Sequence, residues 1–349
     1  MLVGRVLGNK YRLVSEMARS QRGALWRAEH VLLRVPVAVK FMSSGAAAEE
    51  NTSAAERTEA MKRFLSEARI AAAARGPHVV RVFDCGVDHG ASYLVMEFLV
   101  GETLAQRIRS ERCLPVRETG LIVCQLARAL ERMHELGIVH RDLKPDNIFL
   151  VEGGEPNATI LDFGVAHVSD TAPLTTLTPG TCGGDLVGTP NYMSPEQLQD
   201  PHSADPRSDV WALGVIAFEC LLGRVPFMAH HFMGLIVAIC SRPLPIPALI
   251  GPVPRGFDAW FARACARDLE QRFPTAMEAA VALQALCEPR EVAPARADAA
   301  AWATATAERS ADAPAPEGTP AGLKRIISGF FCRPGTGAGS QRAARRRLR

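Results

Sequence analysis

The sequence predicts an α+β fold in which a β-rich part precedes a mainly helical part. In the first hundred residues, short segments rich in Val, Leu and aromatic residues alternate with turn residues, as in antiparallel strands. Beyond about residue 100, longer segments repeat apolar residues every three or four positions, as amphipathic helices do. The chain of 349 residues is long enough for two domains or one large two-lobed unit.

The β-rich part contains five predicted strands and one predicted helix. Apolar residues at helical spacing over residues 61–72 indicate the helix, which ends at the Gly76-Pro77 breaker. The acid- and alanine-rich residues 43–59 before it are expected to form a solvated loop. The predicted strands are residues 11–14, 23–30, 35–42, 79–87 and 92–99.

The second part reads as an N-to-C series of helices followed by a tail. The expected boundaries are an N-terminal lobe at 11–99, a C-terminal lobe at 100–287 and a tail at 288–349. The tail is rich in Ala, Pro and Gly with few large apolar residues, which is typical of disorder. The predicted helices are residues 121–135, 210–222, 232–241, 256–267 and 275–287.

Charge and cysteine content exclude several classes of function. Residues 288–349 carry 11 Lys and Arg against 6 Asp and Glu, a charge of +5, so residues 1–287 carry −2 of the total +3. A near-neutral body does not favour nucleic-acid binding. Nine scattered cysteines with no C-x-x-C pair indicate a reducing compartment rather than disulfides or zinc. We find neither a signal peptide nor an apolar run of the ~20 residues that a membrane span needs, so the expected location is cytoplasmic.

Two motifs carry residues suited to phosphoryl transfer. The first, HRDLKPDNIFL at residues 140–150, places a lysine two positions and an asparagine five positions after an aspartate. The second, ILDFGVA at residues 160–166, places another aspartate before a glycine turn. Phosphoryl transfer needs a carboxylate to orient the attacking hydroxyl, a cation near the transferred group and oxygen ligands for Mg²⁺. Together the motifs supply that set.

Further motifs extend this pattern in both directions. VAVK at residues 37–40 ends a predicted strand in a lysine, and Glu67 lies on the predicted helix 27 residues later. A lysine held by a glutamate is a positioned cation for nucleotide phosphates. GTPNYMSPE follows at residues 188–196. In this order the motifs resemble the protein-kinase signature set, and residues 11–287 look like a bacterial Ser/Thr protein kinase of the eukaryotic-like (Hanks) type.

The resemblance implies a two-lobed protein-kinase-like fold that uses ATP and Mg²⁺ to phosphorylate Ser and Thr of proteins, with the chain itself among the expected substrates. A small-molecule kinase is disfavoured, because GTPNYMSPE resembles the segment that shapes a protein-substrate groove. The matched positions are Asp142 as the base, Lys144 as the cation beside the γ-phosphate, Asn147 and Asp162 as the Mg²⁺ ligands, Lys40 as the phosphate-anchoring lysine and Glu67 as its helix partner.

The resemblance also implies a nucleotide pocket. Adenine is expected between Ala38 and Phe149, and the backbone of Glu97 through Leu99 is the expected hinge. The remaining implied lining residues are Met17, Leu25 and Met96.

The segment MARSQRGALWRAEH, residues 17–30, aligns with the glycine-rich loop that covers the phosphates. Its three glycine positions hold Ala18, Ser20 and Gly23. Glycine tolerates positive φ where other residues pay ~1–2 kcal/mol, so a raised KM for ATP is expected. Arg19 and Arg22 at the tip either add positive charge near the phosphates or are simply solvated. The alternative function is a weakly active pseudokinase that acts as a binding or scaffold protein.

Three other matched positions are interpreted as structural. His140 is expected to support the backbone around Asp142, Asp209 to anchor that loop from the following helix, and Arg272 to pair with Glu196.

Two segments are assigned regulatory or docking roles. The residues between Asp162 and Glu196 resemble an activation segment, and Arg141 is positioned in sequence to pair with a phosphate on it. Autophosphorylation is expected at Thr178 or Thr181. The basic end RAARRRLR either contacts acidic partners or anionic lipid, or forms a solvated tail. The candidate hydroxyl residues are Ser169, Thr171, Thr175, Thr176, Thr178 and Thr181.

Overall fold

Six antiparallel strands and one long helix form the N-terminal lobe. The computed structural model describes residues 2–20, 23–42, 54–162, 190–200, 205–229 and 231–288, apart from the side chains of residues 20, 54–60, 63, 66 and 67. The strand order in the sheet is β1-β2-β3-β4-β6-β5. The elements are β1 (Val6–Leu7), β2 (Tyr11–Ser20), β3 (Gly23–His30), β4 (Pro36–Met42), α1 (Ala54–Ala73), β5 (Val82–Asp88) and β6 (Ala91–Glu97).

The two faces of this sheet belong to two different apolar cores. On one face Trp26, Val39 and Val95 are paired across β3, β4 and β6 and lie in a small core within the lobe. On the other face Ala38 and Met96 pair and join the main core. Side chains alternate between faces along a strand, so Lys40, two residues after Ala38, lies on the face that meets the rest of the molecule.

The C-terminal lobe consists of helices and a small three-stranded sheet in the order β7-β8-β9. Short 3₁₀ turns occur at Pro145–Asn147, Pro190–Tyr192, Pro247–Leu249 and Leu269–Gln271. The remaining elements are β7 (Gly101–Thr103), α2 (Leu104–Glu111), α3 (Val116–Glu135), β8 (Ile148–Val151), β9 (Asn157–Ile160), α4 (Pro195–Gln199), α5 (Pro206–Leu222), α6 (Phe232–Ser241), α7 (Phe257–Ala264) and α8 (Ala276–Cys287).

Helix α3 forms the centre of this lobe. Its buried residues include Ile122, Leu126, Leu130 and Met133, which recur at three- and four-residue steps and are fully buried. The helix packs against α5, α8 and β9. Burial of each such side chain contributes roughly 1.5–3 kcal/mol. This core supports the loop that follows α3.

The structure confirms the α+β architecture and most of the predicted elements. The strand at Gly23–His30 and the helix at Phe232–Ser241 have the predicted bounds. The predicted loop at 43–59 is wrong in its last part, because α1 already begins at Ala54. Alanine and glutamate are strong helix formers, so the composition taken as a loop extends the helix instead.

Several short elements were not predicted from the sequence. These are β1, β7, α2 and α4, and the strand predicted at 79–87 begins only at Val82. Val79 instead makes an isolated parallel bridge with Ile160. Within the described part of the chain, no helix combines the length and the apolar character required to cross a bilayer.

Candidate active site

Residues 140–147, here called the catalytic loop, connect α3 to β8. Asp209 in α5, only 1% exposed, accepts hydrogen bonds from the backbone N–H groups of His140 at 2.9 Å and Arg141 at 3.0 Å. His134 Nε2 lies 2.8 Å from the same carboxylate. Burial alone would raise the pKa of Asp209, but the hydrogen bonds from His134 and the loop outweigh it and lower the pKa below its ordinary value. Asp209 is therefore ionised and anchors the loop, as expected.

Asp142 lies at the centre of a hydrogen-bonded group within this loop. Lys144 Nζ donates to both carboxylate oxygens of Asp142, at 2.9 and 2.8 Å. Asn147 Nδ2 donates to the Asp142 carbonyl oxygen at 2.8 Å and to Oδ2 at 3.2 Å. The Asp142 N–H donates to the carbonyl oxygen of His140 at 2.9 Å and contacts its Nδ1 at 3.3 Å. The expected role of His140 in supporting the loop backbone is thus confirmed.

An ion pair between Lys40 and Asp162 connects the N-terminal lobe to the region of the catalytic loop. Lys40 Nζ donates to Asp162 Oδ1 at 2.6 Å, and both side chains are about one-fifth exposed, at 18% and 21%. The N–H of Leu161 donates to the carbonyl oxygen of Asn147 at 2.9 Å, which places Asp162 directly beside the catalytic loop. The five charged or amide residues predicted to carry the chemistry therefore lie in one region, although their chemical roles remain predictions.

The predicted pocket-lining residues lie on strands that border this region. Leu25 is paired with Lys40, and Ala38 with Met96, so these side chains share one face of the sheet. Phe149 lies on β8 and is paired with Thr103 on β7.

The hinge residues follow β6. The N–H of Glu97 donates to the carbonyl oxygen of Arg81 at 2.9 Å, and its carboxylate accepts from the Arg81 N–H at 2.7 Å. Leu99 is partly buried and packs against the main core. Met17 is 48% exposed at a register shift in β2, between Glu16 and Ala18. Their contacts with adenine remain predictions.

The segment predicted to cover the phosphates forms the hairpin between β2 and β3. Ala18 pairs with Leu25, and Ser20 pairs with Gly23. Gly23 has a φ of +139°, a conformation that L-residues avoid, so glycine is needed there. Ala18 is not among the positive-φ residues of the described chain, so its methyl group causes no such strain in this conformation.

Arg19 is exposed to solvent and also pairs with a neighbouring carboxylate. Its guanidinium donates two hydrogen bonds to the carboxylate of Glu16, at 2.6 and 2.7 Å. The positive charge of Arg19 is thereby paired on the hairpin. Arg22 lies outside the described residues.

Two sets of predicted residues lie partly or wholly outside the described residues. The backbone of Glu67 lies on α1, but its side chain is outside the described part of the structure. Residues 163–189, which contain the candidate phosphorylation sites, are also outside, as is the tail from residue 289. Arg141, the expected phosphate partner, has a buried Nε with no hydrogen-bond partner among the described residues.

Arg272 and Glu196 form the predicted buried ion pair. Arg272 Nη1 and Nη2 donate to the two Glu196 oxygens at 2.7 and 3.1 Å, and the Arg272 side chain is fully buried. Arg272 also donates to the carbonyl oxygen of Arg207, and its guanidinium lies 5.3 Å from the Trp211 ring centroid. The structural interpretation of this pair is confirmed.

One contact to the catalytic loop was not anticipated from the sequence. Gln197 in α4 is 9% exposed, and its Nε2 donates to the carbonyl oxygen of Arg141 at 3.0 Å. The S-x-x-Q pattern at 194–197 could have predicted a capping box but not this contact, which joins residues 56 positions apart.

Comparison with known proteins agrees with this geometry. The family described as "Protein kinase domain" matches residues 12–246. The chain is 37% identical over 275 residues to serine/threonine-protein kinase Pkn1 of Myxococcus xanthus, covering 78% of this chain and 37% of Pkn1. It is 34% identical to PknH of Mycobacterium tuberculosis over 82% of this chain and 43% of PknH.

A third relative is closer in length. PknL of Mycobacterium tuberculosis is 31% identical over 81% of this chain and 67% of PknL. By contrast, the chain spans only about two-fifths of the length of Pkn1 and PknH. All three relatives are named as kinases, which does not favour the pseudokinase alternative. The chain belongs to the protein kinase family, and within it to the bacterial Hanks-type serine/threonine kinases.

Proposed function

We propose that this protein is a serine/threonine protein kinase that transfers the γ-phosphoryl group of ATP to hydroxyl groups of protein substrates. One observation carries the proposal. The Asp142 carboxylate is held by Lys144 and Asn147 in a loop that hydrogen-bonds to the strand end bearing Asp162, which is paired with Lys40. This is the arrangement of carboxylates, cations and amide that phosphoryl transfer requires.

The residues present fit a magnesium ion. Asp162 offers carboxylate oxygens, and the hydrogen bonds that Asn147 makes through its side chain use Nδ2, so its amide oxygen would be the ligand atom. When bound there, Mg²⁺ would neutralise charge on the nucleotide phosphates.

The side chains of the chain have distinct parts in the transfer. Asp142 orients the substrate hydroxyl and accepts its proton, while the oxygen of that hydroxyl forms a bond to the γ-phosphorus. The bond from that phosphorus to the β–γ bridging oxygen breaks, and ADP leaves. Lys144 and Lys40 stabilise negative charge on the γ-phosphate and on the α- and β-phosphates, respectively. Positioning and electrostatics thus supply most of the catalysis.

A protein substrate is supported by the segment that follows residue 189. The 3₁₀ turn at Pro190–Tyr192 is tied to the lobe by Asn191, which donates to the Phe227 carbonyl oxygen at 2.9 Å. A cavity of about 640 Å³ opens between this turn, α2 and the catalytic loop, and is lined by Tyr192, Glu219 and Asp146. It is large enough for substrate side chains next to the loop.

The described cysteines support action in a reducing compartment, for which we propose the cytoplasm. Cys85, Cys113, Cys124, Cys220, Cys240, Cys265 and Cys287 are all free thiols.

Autophosphorylation by the purified 349-residue chain tests the proposal. With Mg·ATP, the wild type should incorporate phosphate on Ser or Thr, and Asp142→Asn should lower the rate by about a thousandfold while still binding nucleotide. Equal incorporation by both proteins, or none by either, would contradict the proposal.

A further inference from the structure

Gln197 uses both ends of its side-chain amide. Its Oε1 accepts hydrogen bonds from the N–H and the hydroxyl of Ser194 at 3.0 and 3.1 Å, which completes the capping box of α4. Its Nε2 donates to the carbonyl oxygen of Arg141 at 3.0 Å. Ser194 is fully buried and Gln197 nearly so, which means that water has little access to these hydrogen bonds. The amide therefore links the start of α4 to the catalytic loop.

The linked residue has an unusual backbone conformation. Arg141 has a φ of +65°, in the left-handed region that residues with a β-carbon adopt rarely. Such a conformation persists only where surrounding contacts determine it. Asp209 accepts from the Arg141 N–H, and Gln197 donates to the Arg141 carbonyl oxygen, so both backbone polar groups of Arg141, in the two peptides that flank its Cα, have partners.

The next residue along the chain is Asp142. Rotation of the peptide that carries the Arg141 carbonyl would move the Asp142 N–H, which donates to His140. The same rotation would shift the Asp142 carboxylate relative to Lys144. An error of about 1 Å in the position of a reacting group can cost about a hundredfold in rate.

We propose that Gln197 is a positioning residue for phosphoryl transfer, which it supports by holding the Arg141 carbonyl and thereby the orientation of Asp142. The inference rests on the proposed kinase function. The bond also connects the cavity beside the catalytic loop to Asp142, because α4 directly follows residues 190–194, which border that cavity.

The test compares the same substitution in two capping boxes of the full chain. Gln197→Glu keeps the acceptor for Ser194 but cannot donate to the Arg141 carbonyl. Gln106→Glu is the matched control, because Gln106 completes the equivalent capping box with Thr103 at the start of α2 and, within the described part of the chain, makes no hydrogen bond to the catalytic loop. Gln197→Met removes the donor without adding a charge. The maximal rate of autophosphorylation, the ATP concentration at half-maximal rate and the hydrogen exchange of backbone amides 140–142 are measured for each.

We expect both Gln197 variants to lower the maximal rate about tenfold, with the half-saturating ATP concentration nearly unchanged, because one hydrogen bond to the loop is lost. Exchange of amides 140–142 should become faster in the same two variants. Gln106→Glu should match the wild type in all three measurements. A rate loss shared equally by Gln106→Glu, or wild-type rates in both Gln197 variants, would overturn the proposal.

Hydrogen exchange separates this inference from the proposed function. If the wild type transfers no phosphate, the kinase proposal fails. Unchanged exchange at 140–142 in Gln197→Glu and Gln197→Met would then overturn the positioning role as well, whereas faster exchange would still support a Gln197-held loop.

Discussion

Lys40 Nζ lies 2.6 Å from Asp162 Oδ1, so a cation on β4 meets a carboxylate that follows β9, 122 residues later in the chain. Each is about four-fifths buried, which strengthens their attraction compared with a surface pair. The pair joins the N-terminal sheet to the catalytic loop through the backbone bond between Leu161 and Asn147. We expect nucleotide phosphates to share the Lys40 ammonium with Asp162.

Removal of this cation should impair transfer. Lys40→Met keeps most of the side-chain length but removes the charge, and we expect the autophosphorylation rate to fall about tenfold to a hundredfold, as for loss of a charged hydrogen bond. Lys62→Met, at an exposed position of α1, serves as the charge-matched control. Rate measurements at saturating Mg·ATP decide the comparison, and an equal loss in the two variants would contradict the role of Lys40.

The remaining glycine of the hairpin should matter for ATP binding. Gly23→Ala forces a β-carbon onto a φ of +139°, and the resulting strain of ~1–2 kcal/mol should raise the KM for ATP by about fivefold to thirtyfold. Gly90→Ala is the matched control, because Gly90 has a φ of +81° and open space around an added β-carbon, in the turn between β5 and β6. ATP titrations should show a raised KM for Gly23→Ala alone, and the expectation fails if both variants raise it.

Loss of the buried ion pair between Glu196 and Arg272 should destabilise the fold far more than loss of an exposed ion pair. Glu196→Gln leaves the fully buried Arg272 guanidinium without its counter-charge, and we expect the free energy of unfolding to fall by about 3–5 kcal/mol. Glu270→Gln breaks an exposed pair with Arg207, which should cost less than about 1 kcal/mol. Urea unfolding of both variants measures the two losses in free energy of unfolding. Similar losses would contradict the greater contribution of the buried pair.

The buried carboxylates also predict how stability depends on pH. Burial would raise the pKa of Glu196, but the Arg272 hydrogen bonds outweigh it, so the folded pKa lies below the ordinary value of 4.5. The folded pKa of Asp209 likewise lies below its ordinary value of 3.8. The unfolded state thus binds protons first, so this stability is fully present above the unfolded pKa values and is lost as pH falls through the folded ones.

Unfolding free energies measured between about pH 6 and about pH 3 should therefore decrease toward acid. The decrease should be smaller in Glu196→Gln than in the wild type, because that variant lacks one of the two groups. If the free energy of unfolding changed equally with pH in the two proteins, Glu196 would not contribute to the pH dependence of stability.

The residues of the candidate site could be predicted from sequence because each lies in a short motif whose residue types and spacing are recognisable. Asp142, Lys144 and Asn147 lie within six consecutive positions, and a loop that short keeps them together. Helix α6 was predicted to the residue, since its apolar pattern is continuous, whereas α3 and α5 begin four or five residues before their predicted starts.

What could not be predicted leaves no distinct pattern in the local sequence. The two-residue strand β1 exists because it pairs with β2, and two residues carry no periodicity. The start of α1 was misplaced because alanine and acidic residues are common in both helices and solvated loops. Gln197 shows the same limit at the site: its capping role is local, but its bond to Arg141 arises from the tertiary fold.

Calorimetric titration of Mg·ATP into the full chain, compared with Asp162→Asn, tests most directly whether Lys40, Asn147 and Asp162 form one nucleotide–metal site. We expect saturable heat from a single site in the wild type, and markedly weaker binding in Asp162→Asn when Mg²⁺ is present. Without Mg²⁺ this difference between the two proteins should largely disappear. Absence of saturable heat in the wild type, or equal affinity and equal Mg²⁺ dependence in the two proteins, would contradict such a site.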